Sequence, residues 1–218
     1  MTGQTPAGHF RMRPRRTPRA ILLRLRALLA GGLVLGVGAT MTLAAWNDSE
    51  FSTGTFSASS FALQSSTDSG GAWQEHGTSA TAATMSFDAT GMSPGSLNYA
   101  SIWVRTTSGS LSGTLALQGG QLVQGGNAGL FAAFDYRVVR YTSGTCDASQ
   151  FGEGASYIVG TSSSKVALGT AGSSTAVAAS AGTPVRFCFE ITMKTTADNS
   201  LQGTNSGAVW EIKGTSDS

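Results

Sequence analysis

Side chains able to do chemistry are scarce in this 218-residue chain, which holds two histidines and two cysteines. His9 lies in an arginine-rich leader, so beyond the leader only His76 remains, in Gly71-Ala72-Trp73-Gln74-Glu75-His76-Gly77. One imidazole cannot build a His-rich metal site, and no His-Glu-x-x-His run occurs. A Ser-His-Asp triad would have to use His76, and nothing near it resembles a nucleophile elbow. His76 reads as an exposed loop residue. Cys146 and Cys188 are the only thiols. In an exported protein an even count reads as a disulfide, and two cysteines allow one intramolecular pairing. Free thiols or an intermolecular bridge are the alternatives. Paired, they would close a loop of about 40 residues and offer no thiol nucleophile.

The 12 acidic residues are scattered, and sequence alone does not show which of them face one another across a cleft, as glycoside hydrolysis requires. Asp147 and Glu153, just after Cys146, could bind calcium weakly, but their spacing matches no calcium loop, and they read as a solvated loop. Trp73, Trp103 and Trp210 could form a sugar-stacking platform. Trp103 and Trp210 fall within strand patterns and are expected to pack in the core or on a sheet. No catalytic residue, metal or cofactor is expected, and the chain is not read as an enzyme.

The elements that must position these residues are strands. Beyond residue 45 no stretch keeps a helical apolar period; short alternating runs sit between Gly, Ser, Asn and Pro signals. Strands are expected at 56–63, 83–87, 101–105, 113–117, 134–141, 157–159, 165–168, 185–193 and 208–212. About nine short strands with turns between them is the pattern of a β-sandwich or jelly roll. In 185–193, Val185, Phe187, Phe189 and Ile191 share the buried face, leaving Arg186, Cys188, Glu190 and Thr192 on the other. Cys188 would then clamp the Cys146 loop onto the outside of the sheet. The glycine-rich stretch 119–129, Ser162-Ser163-Ser164 and Gly172-Ser173-Ser174 read as loops and turns.

The leader places the chain. Arg11, Arg13, Arg15, Arg16, Arg19, Arg24 and Arg26 precede an apolar, glycine-interrupted run, which is the pattern of a secretory signal peptide. Residues 1–44 are expected to be removed, 1–26 as the basic region and 27–44 as the apolar one. Cleavage after Ala44 places Thr42 and Ala44 at the small-residue positions and makes Ala45 the new N-terminus. Cleavage after Ala45 would put bulky Leu43 in one of them. An uncleaved anchor is the alternative, and the run is near the lower length limit for a span. Arg15-Arg16 is a weak twin-arginine signal. All seven leader arginines leave without an acid, so the net charge moves from +2 to −5, seven basic against 12 acidic residues. The remaining basic residues are scattered, and no nucleic-acid footprint is present. The 174 residues of 45–218 suffice for one domain with a core, and their aromatic and β-branched clusters argue against disorder.

The junction Ala39-Thr40-Met41-Thr42-Leu43-Ala44-Ala45-Trp46-Asn47-Asp48 resembles a SipW-type signal-peptide junction. Phe51-Ser52-Thr53-Gly54-Thr55-Phe56 is similar to the strand that follows it in the TasA/camelysin family. The turn Met92-Ser93-Pro94-Gly95-Ser96 before Ile102-Trp103-Val104 is similar to that family's Pro-Gly turn, and the whole looks like an actinobacterial branch. The resemblance covers the first third of the exported chain. It implies a jelly-roll domain, processing by a SipW-like signal peptidase, and assembly into extracellular fibres of a biofilm matrix or cell surface. The metalloprotease activity described for camelysins does not carry over, because no zinc-protease motif is present. A free terminal strand in 45–63 can fill a sheet edge of the next subunit, with Trp46, Phe51 and Phe56 as anchors. Alternatively, Phe56, Phe61 and Leu63 pack in the subunit's own core. Self-association into filaments is the expected partnership, with membrane contact only through the uncleaved leader. A monomeric secreted binding or adhesion β-sandwich, for a carbohydrate or surface ligand, is the competing reading.

Overall fold

The computed structural model describes residues 18–41, 49–55, 58–87 and 92–217, with the backbone alone at 18 and 37–41. The chain divides into two units, Met1–Thr55 and Phe56–Ser218. The first contains α1 (Pro18–Met41). Proline suits a first helical turn, where its missing N–H costs nothing, and the Leu, Ala and Arg residues that follow are strong helix formers. The helix therefore starts inside the basic stretch. Ile21, Leu22, Leu25, Leu28, Leu29 and Leu33 are each more than half exposed, so the apolar surface runs round the helix instead of forming one stripe. Among the described residues, no helix is long and apolar enough to cross a membrane. Residues 49–55 carry no regular structure, and Phe51 is 94% exposed. Thr42, Ala44, Ala45, Trp46 and Phe56 lie outside the described residues.

The second unit is an all-β antiparallel sandwich. Its strands are β1 (Leu63–Ser66), β2 (Leu97–Thr106), β3 (Gly113–Leu117), β4 (Gln121–Leu122), β5 (Phe134–Tyr141), β6 (Ser156–Val159), β7 (Val166–Ala167), β8 (Ser174–Val177), β9 (Val185–Met193), β10 (Ala208–Val209) and β11 (Ile212–Ser216). One sheet runs β1-β2-β9-β5-β6 with β7 also on β5; a second runs β11-β3-β8; β4 and β10 pair separately. A short helix, α2 (Ala128–Ala132), is capped by Asn127, whose Oδ1 accepts from the Leu130 N–H at 2.8 Å.

The alternation in the sequence decides which side chains meet. Ile102 and Val104 of β2, Tyr136 and Val138 of β5, and Phe187, Phe189 and Ile191 of β9 point to one side and meet Leu115 and Leu117 of β3 and Val177 of β8. Facing layers of apolar residues exclude water from both sheets at once. The central strands are buried on both faces: β9 is fully buried from Phe187 to Ile191. A second cluster of Val139, Tyr141, Phe151 and Cys188 lies on the outer side of the large sheet.

Several expectations change: the run 208–212 splits into β10 and β11 in different sheets, and the glycine-rich stretch 119–129 holds β4 and the start of α2. In the run 56–63, described from residue 58, Ser60 bridges Ser110, Phe61 and Leu63 turn inward, and the antiparallel ladder with β2 begins at Leu63 and continues to Ser66. Residues 83–87 form no strand, although Ala83, Met85 and Phe87 do pack on the core. Residues 174–177, read in part as a turn, form β8 on the open side of β3.

Candidate functional site

The long strand β2 is paired on one side along Leu97–Val104, against β9. On its other side β1 reaches only Trp103–Thr106. Among the described residues, the first half of β2, residues 97–102, thus has no ladder partner on this edge. The segment 83–87 lies close to this edge: Thr84 and Ser86 share a small pocket with Tyr99, Ala100 and Ser101. Its alternate residues Ala83, Met85 and Phe87 enter the core as a strand's would. Yet, among the described residues, 83–87 makes no backbone hydrogen bond. Beside it opens a cleft of about 1150 Å³, lined by Phe61, Leu63, Met85, Phe131, Trp210 and Ile212 among others. Phe61 and Leu63 close one wall. They sit where a Cβ on Gly214 would come within 2.7 Å of the Phe61 ring and a Leu63 methyl, so glycine there makes room for them.

His76 borders this cleft. Its Nδ1 meets the Thr81 carbonyl at 2.5 Å, which ties the ring to its own loop and leaves it half-buried rather than exposed. Asp147 is a cap: its carboxylate accepts from the Ser149 N–H at 2.9 Å, the Ser149 hydroxyl at 2.6 Å and the Thr145 hydroxyl at 2.5 Å. These bonds hold it below the usual carboxylate range. Glu153 is exposed. Among the described residues no three His, Cys, Asp or Glu side chains stand close enough to share a metal ion.

Cys146 and Cys188 are joined in a disulfide. Cys188 faces the outer side of β9, as its place in the alternation predicts, and the bond ties the loop after β5 onto the sheet. Tyr99, Phe151 and Tyr157 pack around it, ring to ring at 5.9 and 6.4 Å.

One ionic group was missed by sequence reasoning. Glu190, only 1% exposed, accepts from Arg137 Nε and Nη2 at 2.9 Å each, and Lys165 Nζ stands 2.9 Å away. Burial pushes this carboxyl up, but Arg137 and Lys165 together hold it below its ordinary value. Arg137 is the register partner of Glu190 on β5 and lies over the Phe151 ring at 4.8 Å. A charged residue in the middle of a long alternating strand was the available signal. Its partner was hidden because register is not written in one strand.

The tryptophans divide. Trp210 is in the core, 5.3 Å from Phe189 and 5.8 Å from Tyr136. Trp103 is on the outer face of β2, since Ile102 and Val104 take the inner one. Arg186, its register partner on β9, lies over its indole at 4.0 Å, and Trp103 Nε1 donates to the Tyr141 hydroxyl at 3.0 Å. Trp73 reaches the same face through the loop after β1 and lies under Arg105 at 4.0 Å. That loop is pinned by the Ser65–Gln74 bridge, by Asp68 accepting from Ser66 Oγ at 2.5 Å, and by Gly70. Gly70 has φ +87°, and a Cβ there would come within 3.0 Å of the Trp103 ring. Both reasons exclude a side chain.

No protein-family model matches this chain, and no curated protein sequence matches it.

Proposed function

We propose that the chain is a secreted structural protein of the TasA/camelysin kind, a subunit of an extracellular fibre, with no catalytic role. The observation that carries the reading is the half-edge of β2 that has no ladder partner among the described residues, with the unladdered segment 83–87 beside it. A strand mimic that contributes side chains but no backbone hydrogen bonds can be displaced by a strand that contributes both. The donor would be the N-terminal segment 45–63 of the next subunit, with Trp46, Phe51 and Phe56 as anchors, released by a SipW-like signal peptidase cutting after Ala44. Exposed Phe51 supports this role, because a large apolar side chain gains most by finding a pocket. Phe61 and Leu63 already pack in their own core, which confines the donor to residues before them. A head-to-tail contact of this kind does not close on itself and propagates a filament.

Negative-stain electron microscopy tests this with three proteins: the full chain, the chain beginning at Ala45, and that chain lacking 45–55. Filaments from the second alone are expected. Filaments that persist without 45–55 would remove the donor-strand mechanism. Monomers throughout, across salt and pH, would favour the second reading, a monomeric binding module. That reading rests on the row of Trp73, Arg105, Trp103 and Arg186 on one sheet face.

A further inference from the structure

We propose that the outer face of the large sheet at Trp73, Arg105, Trp103 and Arg186 binds a polysaccharide bearing carboxylates, such as a polyuronate. The inference holds whether or not the chain polymerises.

The sheet sets the arrangement. Trp103 and Arg105 are two residues apart on β2 and share a face, and Arg186 stands opposite Trp103 on β9. Diagonal neighbours in an antiparallel pair are about 7–8 Å apart, so Arg105 and Arg186 rise from neighbouring positions on one face, where both are partly exposed. Each lies over an indole at 4.0 Å. Stacking occupies the flat face of a guanidinium and leaves its in-plane N–H groups for hydrogen bonding. Arg186 spends Nη1 on the Thr142 carbonyl at 3.0 Å. With the Gln64 amide oxygen turned toward Arg105, Nε and Nη2 donate to it at 3.0 and 3.2 Å, leaving Nη1. The ion pairs among the described residues use Arg137, Lys165 and Lys194, and none uses Arg105 or Arg186. Asp68, the one acid in the loop 67–74, is committed to Ser66 Oγ and the Ala72 N–H.

The rings themselves argue for an acidic ligand over a neutral one. Neutral sugars are gripped by an open indole face, but Trp103 has Arg186 over it and Gly70 against it, and Trp73 has Arg105 over it. What the face offers is two cations held in place before any ligand arrives, so little rotamer freedom is lost on binding. Residues 45–218 carry net −5, so this local positive patch stands against the charge of its own domain. A polymer with a carboxylate on every ring can engage both arginines, whereas a single carboxylate engages one.

The test is binding of the full chain to immobilised polygalacturonate and to neutral dextran, across a salt series. The variants are R105Q, R186Q, the double variant, and R140Q as a control that keeps the leader's charges and removes a different cation. Polygalacturonate binding that falls with salt, weakens about tenfold in each single variant and is unchanged in R140Q is the expected result. No binding of polygalacturonate, equal binding by the double variant, or equal binding to dextran would overturn the proposal. Double-stranded DNA binding with the same sensitivity would overturn the assignment to a polysaccharide. R186K keeps the charge and loses the free Nε and Nη2 pair of Arg186, so binding weakened in R186K with an unchanged melting curve separates lost recognition from lost folding; matching melting curves are required of every variant compared.

Discussion

At the scale of single residues, Glu190 matters most for stability. A carboxylate this buried is tolerated only because Arg137 and Lys165 neutralise it and Arg137 binds both its oxygens. Glu190→Ala leaves Arg137 in the sheet without its counter-charge, and a loss of about 3–5 kcal/mol in denaturant unfolding is expected. Replacing exposed Glu153 the same way should change stability by less than about 0.5 kcal/mol. The sequence showed the alternation that puts Glu190 on the outer face of β9 and did not show Arg137 opposite it. Trp103 was more legible than the reading made of it. Ile102 and Val104 already claim the inner face, so Trp103 and Arg105 had to be outside. Arg186 over its ring was beyond sequence reasoning, because it depends on the pairing of β2 with β9.

Elements with large, alternating residues were readable: β5 and β9 appear within the ranges expected, 134–141 and 185–193. Elements with weak side chains were not. β8 is Ser-Thr-Ala-Val, with one strong apolar residue, and it becomes a strand only because β3 offers an edge. The opposite error occurred at 83–87, where Ala83, Met85 and Phe87 have a strand's parity but no ladder partner. Parity reports which side chains are buried; it does not report whether the backbone is paired. The loop after β5 depends on its tether. The cysteines are 42 residues apart, and closing a loop of that length stabilises the folded state by about 4 kcal/mol in the chain-entropy account. The double variant Cys146→Ser, Cys188→Ser should lose a comparable amount in guanidinium unfolding. Hydrogen exchange should rise first in 142–155, whose covering of Tyr99 and Cys188 the bond secures.

For the molecule as a whole, charge couples to pH through a few carboxylates. Glu190, Asp68, Asp147 and Asp198 are all held below their ordinary values, Glu190 by its cations against burial and the three aspartates mainly by hydrogen bonds from nearby Ser or Thr groups. A group depressed in the folded state stabilises it above the unfolded value, and that contribution disappears as pH falls through the folded value. The melting temperature should therefore be flat in pH from neutrality down to about 4.5, the ordinary value for Glu, and fall below it. Glu190→Gln should flatten part of that fall. The overall class, an all-β sandwich with one disulfide, was legible because composition, turn spacing and cysteine count agree. The division of the strands into sheets of six and three was not, because it rests on pairing partners far apart in the chain.

The unpaired stretch beside β2 also bears on how the gene can change. An insertion of one residue in β9 would turn every following side chain to the wrong face, because two ladders fix its register. In 83–87 no ladder fixes anything, so an added or lost residue can be absorbed by sliding until apolar groups again meet the core. That edge of the sandwich is where related chains can differ in length at least cost, while β5 and β9 keep theirs.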